Sequence, residues 1–457
     1  MKLLKPWIAI LTVFMLVVGC SNDASNDEKK DDKGSDKEQV TLSFASWALG
    51  TEEEQNIERL LIKAYEEANP NVKIEIDESI TGDWNDALSA AASAGTMPDV
   101  FMLAQVPTGL ANDWLLDVTE FTTEDEDFAK IADVVKESAT YDGKVFAIPS
   151  AQHFLGYYVN KDLFNQANLD VPEYGISVEE FTEAVRSISN VNNGVVGMNN
   201  PFAIVDWYPT SVSETAGWYT YSEEGYNLDS NEFIGGVNLA SNIVTNGYSY
   251  ENLTDEQKAN FSGENAGEVW AQGGLGINWD GTWAVTNFTD NLEFEWDFIG
   301  TPGGRTVVVN DFMGISKSTE HAEEAYKFAK FMGFGKEGYL KRLDIAVENE
   351  KAVNNLPVIN DEEVLDAYFE IQDVPGLRTA YDNLDNAVIE PFKTVPGYVQ
   401  SRWEAPTGVA VGDNPNANIA GIIDASVKGE IKIEDYISQI NELANQKLQE
   451  GKEAIGQ

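Results

Sequence analysis

Between Val40 and Leu103 the chain alternates three short extended runs with two amphipathic ones, an order that few folds admit. Val40-Thr41-Leu42-Ser43-Phe44-Ala45-Ser46-Trp47 alternates apolar and polar residues as a half-buried strand does. Thr51 and Glu54 stand at capping-box spacing and open a helix in which Ile57, Leu60, Leu61, Ala64, Tyr65 and Ala68 share one face. Asn69-Pro70 stops it. Val72, Ile74 and Ile76 make the next strand. A second helix from near Trp84 buries Ala87, Leu88 and Ala91, and Pro98-Asp99 leads into Val100-Phe101-Met102-Leu103. Strand, helix, strand, helix, strand in this rhythm predicts an α/β fold with a mainly parallel sheet and right-handed crossovers.

Similar elements recur downstream. Val145 to Ile148 and Gly156 to Val159 read as two strands, and Ser177 with Glu180 caps a helix bearing Phe181, Ala184, Val185 and Ile188. Glu323 to Met332 carries a stripe of Ala325, Tyr326, Ala329 and Met332. A last helix near Glu434 to Gln449 buries Tyr436, Ile437, Ile440, Leu443, Ala444 and Leu448. At 457 residues the chain has length for two domains, and its single cysteine excludes an intrachain disulfide, so packed cores must hold it. A net charge of -47 argues against nucleic acid and against anionic lipid surfaces, both of which need Lys and Arg. The two histidines, His153 and His321, have neither zinc nor triad spacing, and Asp382-Asn383-Leu384-Asp385-Asn386 lacks the glycine and final Glu of a calcium loop. No metal or cofactor is expected.

The N-terminus has a different use. Lys2 and Lys5 precede an apolar stretch, Pro6 to Val18, that is short for a membrane span and suits a secretory signal. Val17-Val18-Gly19-Cys20 resembles the lipobox of bacterial lipoproteins, which implies cleavage before Cys20 and acylation of that residue. Ser21 to Gln39 is almost devoid of apolar residues and reads as a disordered tether.

Several segments further on resemble the carbohydrate-type extracellular solute-binding proteins of ABC importers, the maltose-binding-protein-like group. They are Ala91-Ala92-Ser93-Ala94-Gly95-Thr96-Met97-Pro98-Asp99-Val100, Tyr141-Asp142-Gly143-Lys144-Val145-Phe146-Ala147-Ile148-Pro149, and Tyr157-Tyr158-Val159-Asn160-Lys161-Asp162-Leu163-Phe164. Trp279-Asp280-Gly281-Thr282-Trp283 and the run from Ala325 to Phe331 continue the series in the family's order. The resemblance implies a two-lobed clamshell, each lobe a mainly parallel sheet flanked by helices, with three chain crossings as a hinge. Residues 40–151 and 305–354 would form lobe 1, and 152–304 and 355–457 lobe 2, after a signal peptide over 1–19 and a tether over 20–39. The crossings are expected near Ser150 to His153, near the hinge glycines Gly303 and Gly304, and near Asn354 to Pro357.

Ligand would lie between the lobes. A sugar offers apolar C–H faces ringed by hydroxyls, so aromatic rings and fixed polar groups suit it. By resemblance Trp283 is the leading stacking residue and Trp403 a second. Trp47 and Trp84 flank strand ends at the expected cleft edge, with Asp83, Gln105 and Asp280 as hydroxyl partners. Gln152 and His153 follow the first crossing, and Trp207-Tyr208 follows a proline-containing loop. The expected function is capture of a sugar or oligosaccharide by a lipid-anchored monomer on the outer face of a bacterial membrane, of Gram-positive type, for delivery to an ABC permease without catalysis. Two alternatives stay open. One is the same clamshell with another cargo, such as a polyamine, or iron held by Tyr157-Tyr158. The other is a lipid-anchored glycoside hydrolase using a carboxylate pair.

Overall fold

Thirteen strands can be followed in chain order among the described residues: β1 Val40–Ala45, β2 Val72–Ile76, β3 Val100–Leu103, β4 Thr140–Tyr141, β5 Lys144–Val145, β6 Ile148–Asn160, β7 Val196–Met198, β8 Leu275–Gly281, β9 Trp296–Gly300, β10 Val307–Ile315, β11 Val388–Ile389, β12 Val409–Val411 and β13 Asn414–Ala417. The structure, a computed structural model, describes residues 39–457, which pack as one compact unit. The signal peptide, Cys20 and nearly all of the expected tether lie outside the described residues.

Nine strands form one sheet in the order β2-β1-β3-β10-β6-β8-β7, with β11 against β10 and β9 against β6. The pairs β1–β2, β1–β3 and β7–β8 are parallel, as the opening rhythm requires. The strands that join them are antiparallel: β10 to β3, β10 to β6, and β6 to β8 and β9. The sheet is therefore mixed where it crosses from one parallel set to the other, and mainly parallel only within the sets.

Local chemistry explains most boundaries. The Thr51–Glu54 capping box exists, but it closes a single 3₁₀ turn, Glu52–Glu54. Gln55 then takes a left-handed backbone (φ 45°), which no helix can continue through, and α1 (Ile57–Ala68) starts afresh with the Asn56 side chain accepting from the Arg59 N–H. α2 (Trp84–Ala94) is capped by Asp83, and α3 (Val106–Ala111) begins after Gln105. The strand expected over Val145 to Ile148 is divided. Val145 belongs to the β4–β5 hairpin, turned by Asp142 and Gly143 at φ 50° and 74°, and Ile148 opens β6. β6 runs unbroken for 13 residues and absorbs the strand expected at Gly156 to Val159.

Tyr157 and Tyr158 leave β6 on opposite faces and enter different apolar clusters. Tyr158 joins the larger one, which runs from Leu42, Phe44 and Leu61 to Trp270 and Phe288. Tyr157 joins Phe181, Trp207, Phe233 and Ile440. Helix Ile437–Ala454 buries Ile440, Ala444 and Leu448, while Tyr436, Ile437 and Leu443 stay partly covered. Among the described residues no helix is long and apolar enough to cross a membrane.

Candidate functional site

The register of the central strands places the site. At its carboxyl end β3 pairs Leu103 with Phe312, next to the Asp311–Ala151 pair between β10 and β6. β8 runs the other way along β6, and its carboxyl end pairs Gly281 with Leu155. The two parallel sets thus point their carboxyl ends at each other, separated only by Ala151–Leu155 of β6 and Val307–Asp311 of β10. In open α/β sheets this is where ligands bind.

Each strand end delivers a candidate residue. After β1, Ser46 caps the 3₁₀ turn Trp47–Leu49 and leaves the Trp47 ring 42% exposed. After β2, Trp84 meets Trp47 edge to face at 5.0 Å, and its indole N–H donates to the Met102 carbonyl at 2.7 Å. Asp83 spends one carboxylate oxygen on the Asp86 N–H, and Gln105 accepts from the Thr108 hydroxyl. After β8, Asp280 accepts from the Gly281 N–H at 2.7 Å, and burial raises its carboxyl pKa against that hydrogen bond. The Trp283 ring is 44% exposed and stands edge to face with His153 at 5.4 Å. His153 is buried on the floor, its Nδ1 without a partner, and burial holds its pKa down to about 4.

The floor also holds residues that the sequence did not single out. Asp311 forms an ion pair with Lys393. Lys393 arrives because β11 pairs Val388 with Val307 and Ile389 with Val308, which leads the next residues back toward the crossing. Its neighbour Phe392 is 39% exposed and lies 5.7 Å from the ring of Trp403, itself 40% exposed. Trp403, Phe392, Lys393, Asp311, His153 and Trp283 are therefore linked in one strip. Glu390, beside Phe392, accepts from the Phe392 N–H; burial pushes its carboxyl up to about 7. The only signal for these residues was a weak two-residue strand whose partner lies about eighty positions earlier in the chain.

Four expectations need correction. Trp207 is fully buried, donates its indole N–H to the Tyr157 hydroxyl at 2.9 Å, and offers no surface to a ligand. Tyr208 is half-buried and packs against Gly235 and Gly236, where any Cβ would strike its ring or its Cβ. Gln152 is fully buried; its side-chain amide donates to the Pro357 carbonyl, and the backbone bond from Leu356 to Gln152 adds a second tie between β6 and the 350s. It holds crossings together and does not face the cleft. Gly303 and Gly304 sit in a tight turn ahead of β10, both left-handed at φ 86° and 77°. The Gly303 N–H donates to Ile176 and the Gly304 N–H to Thr301, so the crossing itself is β10 and not this pair.

Among the described residues no group of three or more His, Cys, Asp or Glu could hold a metal ion. Tyr157 and Tyr158, on opposite faces of β6 and fully buried, cannot converge on one ion.

Comparison with known proteins agrees with this geometry. Residues 48–334 match the family described as bacterial extracellular solute-binding protein. An uncharacterized ABC transporter extracellular-binding protein of Pyrococcus horikoshii is 24% identical over 282 residues, which cover 60% of this chain and only 64% of that protein's own length. The maltotriose-binding protein of Pyrococcus abyssi is 23% identical over 357 residues, 73% of this chain and 74% of that one. Among solved structures, an ABC substrate-binding protein from Listeria monocytogenes in complex with cycloalternan superposes with a TM-score of 0.65 at 20% identity, over 90% of this chain and 100% of that chain. The fold is that of the two-lobed solute-binding proteins. With more than half of its length matched, the chain belongs to the family of bacterial extracellular solute-binding proteins.

Proposed function

We propose that this chain captures a sugar or oligosaccharide between its two strand sets and passes it to an ABC permease, with no catalysis of its own. One observation carries the reading. Of the tryptophans in the described residues, those with exposed rings are Trp47, Trp283 and Trp403, and each stands beside the crossing where the strand ends meet. A large apolar ring left in water is informative when several border one cleft, because it needs a partner with flat apolar faces. Pyranose rings have such faces. Asp83, Gln105 and Asp280 supply acceptors and an amide within the same region, as hydroxyls require. The names of the similar proteins point the same way: one is a maltotriose-binding protein, and one was solved with cycloalternan.

Competing cargoes fit less well. A polyamine needs several free carboxylates, whereas Asp311 is paired with Lys393 and Asp280 already accepts from the Gly281 N–H. A glycosidase needs two facing carboxyl groups, and of the carboxyl groups at the crossing Asp311 is already held by Lys393. Closure of the lobes would bury the saccharide, and the closed form would dock on the permease. A lipid on Cys20 would keep this polyanion at the outer face of the membrane, which its charge cannot do. Lobe 1 would comprise residues 40–151 and 305–354, and lobe 2 the remainder of the described chain.

A melting-temperature panel tests the function, since a ligand that binds only the folded form must raise it. Maltotriose, maltotetraose and cycloalternan are compared with spermidine and ferric citrate. A rise with a saccharide alone is expected; a rise with spermidine or iron alone would reverse the assignment.

A further inference from the structure

We propose that Arg402, a buried residue that does not face the cleft, fixes the ring plane of Trp403, and that Asp206 and Tyr219 in turn fix Arg402. This rests on the reading of Trp403 as a saccharide platform.

The local backbone is unusual. Gln400–Glu404 form one π turn, closed by the Ala405 N–H donating to the Gln400 carbonyl at 2.7 Å. Such single turns are rare and are frequent at functional sites. Here the turn sends Ser401 and Arg402 inward and leaves Trp403 and Glu404 outward. The next residue is therefore placed by where Arg402 is anchored. That anchor is redundant. The Arg402 guanidinium forks onto the Asp206 carboxylate, Nη1 to Oδ1 and Nη2 to Oδ2, and Nη1 also donates to the Tyr398 hydroxyl at 2.8 Å. A fork of this kind sets orientation as well as distance. The guanidinium carbon lies 4.4 Å from the centroid of the Tyr219 ring and 5.1 Å from that of Trp403.

Tyr219 reaches that position at a cost. It and Thr220 are consecutive left-handed residues, at φ 55° and 64°, where a bulky and a β-branched side chain are strained. Strain of this sort persists only where the surroundings over-determine it. The buried cation against the Tyr219 ring is one such surrounding contact. The aromatic neighbours of Trp403 meet it edge-on, Tyr398 at 5.3 Å and Phe392 at 5.7 Å. They limit sideways travel, and among the described residues Arg402 is the one cation that lies over the ring, as a cation does against a π face. Asp206 comes from the helix Ala203–Val212, so the tilt of Trp403 is tied to a distant element through one ion pair.

The test uses the full chain labelled with 5-fluorotryptophan, the Trp403 resonance being assigned by its loss in Trp403→Phe. Arg402→Met alone strands a buried carboxylate and can fail to fold, so Asp206→Asn/Arg402→Met, which removes both charges, is measured beside it. Arg402→Lys keeps the charge without the fork. In all three the Trp403 line is expected to shift and broaden, while the lines of Trp114 and Trp270, both buried in the larger core, stay in place. Maltotriose affinity should fall about tenfold in the charge-free double variant. Adding the same changes to Trp403→Ala should cost no further affinity, as expected of residues that act as one unit. An unmoved Trp403 line, or an equal loss of affinity with and without Trp403, would overturn the proposal. If Trp403→Ala itself binds maltotriose as the unmodified chain does, the platform reading falls. The fluorine line still decides whether Arg402 positions the ring.

Discussion

Changing Gly281 to alanine adds one methyl group and aims it at one indole. The Gly281 backbone is extended, at φ -96° and ψ 167°, which any residue adopts without strain. A Cβ there would fall 2.4, 2.4 and 2.5 Å from three ring atoms of Trp283. Carbon atoms settle at roughly 3.5–4.0 Å, so the ring must move by more than about 1 Å. The ring is 44% exposed and can swing outward, so folding should lose about 1 kcal/mol or less. Binding should lose more. A pyranose face stacked on the indole hides roughly 80 Å² of apolar surface, which at about 25 cal/mol/Å² is about 2 kcal/mol, or roughly thirtyfold in Kd. Calorimetric titration with the saccharide selected by the melting panel reads the affinity, and melting without ligand reads the fold. Gly281→Ala is expected to melt within a few degrees of the unmodified chain and to bind roughly thirtyfold more weakly. Trp283→Ala should match it, and the double variant should be no worse. Unchanged Kd in Gly281→Ala would refute the assignment of Trp283 as a platform, and a large fall in melting temperature with unchanged Kd would make the indole a packing element.

Further consequences can be measured on the same protein. Burial holds the His153 imidazole at about 4, with Asp311 opposing and Lys393 assisting, whereas the unfolded chain protonates this residue near 6.5. Its neutral form therefore contributes stability that is complete above pH 6.5 and is lost as the pH falls toward 4. Denaturant unfolding of His153→Leu should lack that part of the acid slope, up to about 3 kcal/mol across the window. Asp361 accepts from Lys130 at 2.6 Å and Lys336 at 2.9 Å, and the Lys130 hydrogen bond is the leading cause of a carboxyl pKa of about 2. That stabilisation is present above pH 4 and lost as the pH drops through 2, so Asp361→Asn should cost about 2 kcal/mol at pH 7 and little at pH 2 in the same assay. Cys20→Ser should release the protein from membranes, or block its processing, in a cell-fractionation blot, with saccharide affinity of the purified chain unchanged; retention of a processed protein at the membrane would exclude the lipid anchor.

Much of this architecture could be read from residue order because it depends on local periodicity. β1, α2, β2 and β3 fall where the alternation and caps place them, and the capping box at Ser177 and Glu180 opens its helix as expected. Long-range pairing was not legible in the same way. The sequence pattern marked only Gly156 to Val159 of β6, with Ile148 ending a separate run, yet β10 pairs the first half of β6 and β8 and β9 its second, which keeps it continuous. The aromatics divide along the same line. Trp47 and Trp283 follow strands, so their place at strand ends was visible. Trp207 read as a site residue because it follows a proline-containing loop, but it lies inside the helix Ala203–Val212, and its burial was settled by Tyr157 and Phe181 across the core. Phe392, Lys393 and Asp311 meet only through the two-residue pairing of β11 with β10, too short a pattern to announce itself.

The most direct measurement is a fluorescence titration of the full chain with maltotetraose, compared with a Trp47→Ala/Trp283→Ala/Trp403→Ala variant. The account predicts a saturable one-to-one change in tryptophan emission in the unmodified chain. The variant should still melt cooperatively but show no change with sugar, in fluorescence or in heat. If the triple variant binds with unaltered affinity by calorimetry, the three exposed rings are not the binding surface and the central claim is wrong.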